Sequence, residues 1–182
     1  LMCATGSAQM KWNQSYQTYI NQYKDLAIEQ MLRYRIPASI TLAQGLFESR
    51  AGQSDLARQG NNHFGIKCHN WTGPTQYHDD DAHGECFRVY QDAKESYEDH
   101  SRFLAKQPRY SRLFSLNTTD YKGWAHGLKS CGYATNPQYA NKLIQIIELY
   151  RLQDYDKAKS YDRFMATHSG TDVPINAEGT LH

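Results

Sequence analysis

The chain has 182 residues, 40% of them hydrophobic, and its 20 basic against 19 acidic side chains leave a formal net charge of +1. That length holds one domain with a sizeable core and is short for two ordinary ones. Basic residues scattered among acidic ones give no strong field, so neither nucleic acid nor an anionic membrane surface is expected as a partner, and no run nears the roughly 20 apolar residues of a spanning helix. The chain opens Leu1-Met2-Cys3-Ala4-Thr5-Gly6-Ser7-Ala8-Gln9. Gly6 and Ala8 fit the small-residue pattern before a signal-peptidase cut, so residues 1–8 read as a signal-peptide remnant and the protein as secreted or periplasmic. A lipid anchor on Cys3 is disfavoured, because bulky Met2 stands where such a site needs a small residue.

From residue 16 to 33, Tyr16, Ile20, Tyr23, Ala27 and Met31 recur at spacings of three and four, which predicts a helix with one apolar face. A second helix is expected to open at Pro37, where a missing N–H costs nothing, and to stop at Gly52. Ile36, Ile40, Leu42, Ala43, Leu46 and Phe47 cover most of its circumference, so it should be largely buried. Residues 54–58 add a short turn. Between 64 and 90 the period changes to two, and 64–68, 75–78 and 86–90 read as three short strands divided by turn-forming residues. Helices resume over 93–107, 110–116, 120–128 and 137–153, the last with Tyr139, Leu143, Ile146, Ile147 and Tyr150 as its buried stripe. The fold class is therefore α+β, helices with a small antiparallel sheet and a cleft between two lobes. Residues 9–155 form the domain, and 156–182, polar and without periodicity, read as a flexible tail or linker.

Cys68 and Cys86 flank a Gly-, Pro- and Asp-rich segment where a bridge would close a hairpin-like loop, leaving Cys131 as a free thiol. Cys131 is also a possible partner for either, and spacing does not choose between them. His63, His69, His78, His83, the cysteines and three aspartates crowd the same region. It holds neither a Cys-x2-Cys nor a His-x3-His pair, so no metal is expected, and no cofactor.

Glu48 carries the chemistry. It sits beside Phe47, four residues after Gln44, on an apolar helix near the negative end of the dipole. Burial and dipole should both raise its pKa, and a carboxylic acid still protonated near neutral pH suits acid-assisted glycosidic cleavage. The 14 tyrosines point the same way, since a ring can stack on a sugar face while its hydroxyl makes a hydrogen bond.

Five strings occur in order: Glu48-Ser49-Arg50-Ala51-Gly52, Asn61-Asn62-His63-Phe64-Gly65-Ile66-Lys67, Phe87-Arg88-Val89-Tyr90, Ser96-Tyr97-Glu98-Asp99-His100 and Gly132-Tyr133-Ala134-Thr135-Asn136-Pro137-Gln138-Tyr139-Ala140. From about Tyr16 to Tyr150 the series resembles the glucosaminidase family of peptidoglycan hydrolases, which includes flagellar-rod muramidases and autolysins. The resemblance implies a lysozyme-like fold and cleavage of β-1,4 bonds at N-acetylglucosamine in bacterial cell-wall glycan, by a chain expected to be a monomer. A lytic transglycosylase and an inactive glycan-binding module are the alternatives.

Glycoside hydrolysis commonly needs a second carboxylate. The family places a Glu at the end of the second strand, but here that string reads Thr75-Gln76-Tyr77-His78-Asp79-Asp80. Asp80 is the first choice to replace it, with Asp79, Asp81 and Glu85 as alternatives. A substrate with a 2-acetamido group can also supply its own nucleophile, and then Tyr133, placed by the family beside the acid, becomes the polarising group. Gln44, Asn62, Tyr77, Asp79 and Asn136 complete the expected substrate contacts, although Asn62 also suits the cleft wall and Asn136 also suits a helix cap.

Overall fold

The computed structural model describes residues 9–78 and 84–159. The signal-peptide remnant, the Asp79, Asp80 and Asp81 triplet, and the tail from residue 160 lie outside the described residues. Helices α1 (Gln14–Tyr34), α2 (Ala38–Ser49) and α3 (Asp55–Gly60) lead into two strands, β1 (Thr75–His78) and β2 (Glu85–Arg88). Helix α4 (Ala93–Lys106), a 3-10 segment (Pro108–Ser115), α5 (Tyr121–Ser130), α6 (Tyr139–Leu149) and a closing 3-10 segment (Leu152–Lys157) complete the order.

Helix α2 lies at the centre, packed against α1, α5, α6 and the closing segment. Ile40, Leu42, Ala43 and Leu46 lose all exposure there, as do Leu143, Ile146 and Ile147 of α6. Full burial of a Leu or Ile side chain stabilises by about 1.5–3 kcal/mol, so this layer supplies much of the driving force. Asn13, Ser54, Asp92 and Asp120 each accept a backbone N–H at the start of their own helix. Pro37 cannot do this for α2. The cap comes instead from Asp156, whose carboxylate accepts the Ser39 backbone N–H at 2.8 Å and the Ser39 hydroxyl.

Three expectations need correction. The tail expected from residue 156 does not begin there, because Asp156 is buried in the closing segment as the cap of α2. The stretch read as one helix over 137–153 is broken, because Arg151 adopts a left-handed conformation (φ 55°) after α6 and the chain re-enters the core at Leu152. The expected first strand over 64–68 is reduced to a single bridge between Lys67 and Phe87, beside a two-stranded antiparallel sheet. Gly65 (φ 64°) and His69 (φ 43°) break the extended run at both ends. The side chain of Asn62 takes over the missing pairing. It accepts from Ile66 N–H and donates to the carbonyls of Ile66 and Arg88.

The sheet is clamped to the helical lobe by Asp99 of α4, which accepts from Arg88 and Tyr90. It is also cross-linked. Cys68 and Cys86 form a disulfide with Cα atoms 5.4 Å apart, and Cys131 is free. Closing a loop of this size constrains the unfolded chain by about 3 kcal/mol. Cys68→Ser with Cys86→Ser should therefore lower unfolding free energy by about that amount in denaturant titration. A loss below about 0.5 kcal/mol would mean that the Asp99 clamp and the core hold the lobe without it.

Candidate active site

Glu48 occupies the last turn of α2, close to where Arg50 ends the helix in a left-handed conformation. Two cavities meet at its carboxylate. One, of about 450 Å³, runs past Arg50, Asp55, His78, Glu85 and Phe87. The other, of about 530 Å³, runs past Lys67, His69, Arg109, Tyr133 and Asn136. Together they form a trough between the sheet and the helices, with Glu48 at its middle. Gly65 borders Glu48 on the sheet side; a Cβ there would be in ordinary contact, 3.5 Å from Glu48 Oε2, and it is the residue's φ of 64° that calls for glycine.

Burial pushes the Glu48 carboxyl up to about 7, against the lowering effect of a hydrogen bond from Tyr139. Among the described residues no cation pairs with it; Lys67 instead meets Glu85 at 3.0 Å. The Glu48 carboxyl is therefore still partly protonated near neutral pH, the state that general-acid chemistry requires.

Behind Glu48 runs a buried relay. The His100 ring, stacked on Phe64 at 3.9 Å, donates from Nε2 to Gln44 Oε1 at 2.8 Å. Gln44 Nε2 donates to the Tyr139 hydroxyl at 2.9 Å. An amide nitrogen is a donor only, so the Tyr139 oxygen accepts there and keeps its own proton for Glu48. Burial lowers the His100 pKa to about 3, which leaves a neutral ring with one N–H to give. The relay therefore runs one way and ends on the carboxylate.

A family model described as mannosyl-glycoprotein endo-beta-N-acetylglucosaminidase matches residues 24–152. The chain belongs to the glucosaminidase family. It is 35% identical over 136 residues to the exo-glucosaminidase LytG of Bacillus subtilis, covering 69% of this chain and 48% of LytG. It is 31% identical over 159 residues to the peptidoglycan hydrolase FlgJ of Vibrio cholerae, covering 79% of this chain and 45% of FlgJ. The chain thus spans about half the length of the curated relatives it matches. The catalytic domain of the autolysin Auto from Listeria monocytogenes superposes with a TM-score of 0.66 at 30% identity, over 81% of this chain and 91% of that one. The lysozyme-like architecture expected from the five strings is the one observed.

The glucosaminidase site differs from the sequence reading in its contacts. Gln44 and Asn62 were expected to touch substrate, but they are 0% and 1% exposed and their amides are spent inside the protein. Tyr77 is 68% exposed on β1 and lines neither cavity. Asn136 does line the larger cavity, and its side chain accepts the Gln138 N–H. Tyr133 also faces that cavity, with its ring stacked 5.9 Å from Tyr139 and its hydroxyl donating to the Phe64 carbonyl. Tyr139 and His100 escaped the sequence reading because both sit on apolar helix faces and pass for core. The signal that could have found them is Gln44, a polar side chain one turn before Glu48 on an otherwise apolar helix.

Proposed function

We propose that this glucosaminidase domain hydrolyses β-1,4 bonds of peptidoglycan at N-acetylglucosamine, outside the cytoplasm, with Glu48 as the general acid. The observation that carries this reading is the position of Glu48. It is the carboxylate common to both arms of the trough, and burial holds it protonated up to about pH 7. A glycan strand lying along the trough would present its glycosidic oxygen to that proton. Two further observations support the setting. The disulfide fits an oxidising compartment, and among the described residues no helix is long and apolar enough to cross a membrane.

The partner we assign is Asp80, which falls in the sequence between β1 and β2 and outside the described residues, with Glu85 as its nearest rival. Glu85 lines the smaller cavity and forms a half-exposed ion pair with Lys67 at 3.0 Å. In the substrate-assisted alternative the acetamido oxygen attacks the anomeric carbon and Tyr133 polarises it, which needs the Tyr133 hydroxyl to leave the Phe64 carbonyl.

Digestion of purified peptidoglycan, with mass spectrometry of the new ends, tests the reaction. A reducing N-acetylglucosamine end is expected. An anhydro sugar end would identify a lytic transglycosylase, and binding without new ends an inactive module. For the partner, changing Asp79, Asp80 and Asp81 together to Asn should lower turnover by at least about tenfold, beyond the effect of Glu85→Gln. A near-normal rate in the triple variant would remove the triplet from the mechanism.

A further inference from the structure

The two arms of the trough differ in charge. Beside Glu48, the described lining of the smaller cavity carries Asp55 and Glu85 as well as Arg50 and His78. The larger cavity has no acidic side chain in its described lining other than Glu48, while Lys67, His69 and Arg109 stand along it. Lys67 is already answered by Glu85. Arg109 is not. It is exposed, its guanidinium lies over the Tyr110 ring at 4.8 Å, and among the described residues no carboxylate is within ion-pair distance of it. His69 registers the same field. Burial first, and then the charges of Arg88, Arg109 and Lys67, lower its pKa, so it stays a neutral hydrogen-bonding group. Phe103, Tyr110 and Tyr133 wall this arm with aromatic surface.

We propose that the larger cavity receives the N-acetylmuramic acid side of the glycan strand, and that Arg109 binds a carboxylate carried by that sugar. The inference rests on the glycan reading above and adds a register to it. Along such a strand only every second sugar carries a carboxylate, either on its lactyl group or on the peptide attached there. N-acetylglucosamine carries none. A guanidinium resting over an aromatic ring therefore distinguishes the two sugars by charge, and a planar fork of donors suits a carboxylate better than an ammonium does. Held that way, alternate bonds are brought to Glu48 and the others are not.

The test uses Glu48→Gln as a binding form that does not turn over. Its dissociation constants are measured for three tetrasaccharides: peptide-bearing glycan, the same glycan with peptides removed to free the lactyl carboxylate, and an oligomer of N-acetylglucosamine alone. Adding Arg109→Gln is expected to weaken the carboxylate-bearing ligands about tenfold more than the neutral oligomer. Arg109→Lys should recover part of that difference, and the ligand with the larger loss identifies the source of the carboxylate. Equal loss on all three, or loss on none, would overturn the assignment of Arg109 and leave the glycan reading standing. Failure of Glu48→Gln to bind any of the three would overturn both.

Discussion

Glu48→Gln is expected to fold normally and to lose between 10²- and 10⁴-fold in cell-wall hydrolysis, the range typical of a general acid. The amide keeps the size of the side chain and can still accept the hydrogen bond from Tyr139, but it has no acidic proton to give. A variant retaining a third of the wild-type rate on purified sacculi would remove Glu48 from this role. The same substitution carries a stability signature of opposite sign. The Glu48 pKa is raised in the folded state, from 4.5 to about 7, so its stabilising contribution is complete below about pH 4.5 and is lost as pH rises through about 7. Glu48→Gln removes that loss. The variant should melt higher than wild type at pH 8 and close to it at pH 4. Together the two measurements separate a group placed for chemistry from one placed for the fold.

Breaking the relay behind Glu48 should cost less in rate and show a different pH profile. Tyr139→Phe removes the hydroxyl whose hydrogen bond lowers the Glu48 pKa. The alkaline limb of kcat/KM should therefore move to higher pH, since the acid keeps its proton longer. Gln44→Leu should do more damage. It strips the partner from His100 Nε2 and from the Tyr139 oxygen, both buried, and frees the Tyr139 ring to shift. A misplacement of about 1 Å can cost on the order of 10²-fold in rate. A structural role alone would depress kcat at every pH without moving the limb. An unmoved alkaline limb in Tyr139→Phe would show that the hydroxyl has no hold on the carboxylate.

Much of this arrangement is written in local sequence. The spacing of Ile40, Leu42, Ala43 and Leu46 gives a buried helix, Pro37 marks its start, and Glu48 stands out as a carboxylate on an apolar element. The disulfide follows from two cysteines on either side of a turn-rich segment, although the choice against Cys131 needed the fold. Contacts far apart in sequence were not legible. Gln44 reads as a cleft residue because it shares a helix with Glu48, and only packing against α4 and α6 shows that its amide is enclosed between His100 and Tyr139. Asn62 reads as a ligand because it stands in one of the strings that carry the family resemblance, yet its three hydrogen bonds replace the backbone pairing that left-handed Gly65 and His69 interrupt. The break at Arg151 was hidden because an arginine seldom signals a positive φ, and the hydrophobic period continues across it.

The cap on α2 ties the active site to the order in which the chain is made. The helix bearing Glu48 begins at Ala38, but the carboxylate that satisfies Ser39 in its first turn belongs to Asp156, 117 residues after Ser39. A chain emerging N-terminus first, from a ribosome or through a translocation pore, would present Glu48 long before it presents Asp156. Until the closing segment arrives, α2 lacks both its cap and the packing of that segment against it. A partly emerged chain would therefore hold its acid on an unfinished helix, and competence to cut glycan would arise only after nearly all of the domain had emerged. Under the wall-hydrolase function proposed above, that timing acts as a safety catch set by chain topology alone.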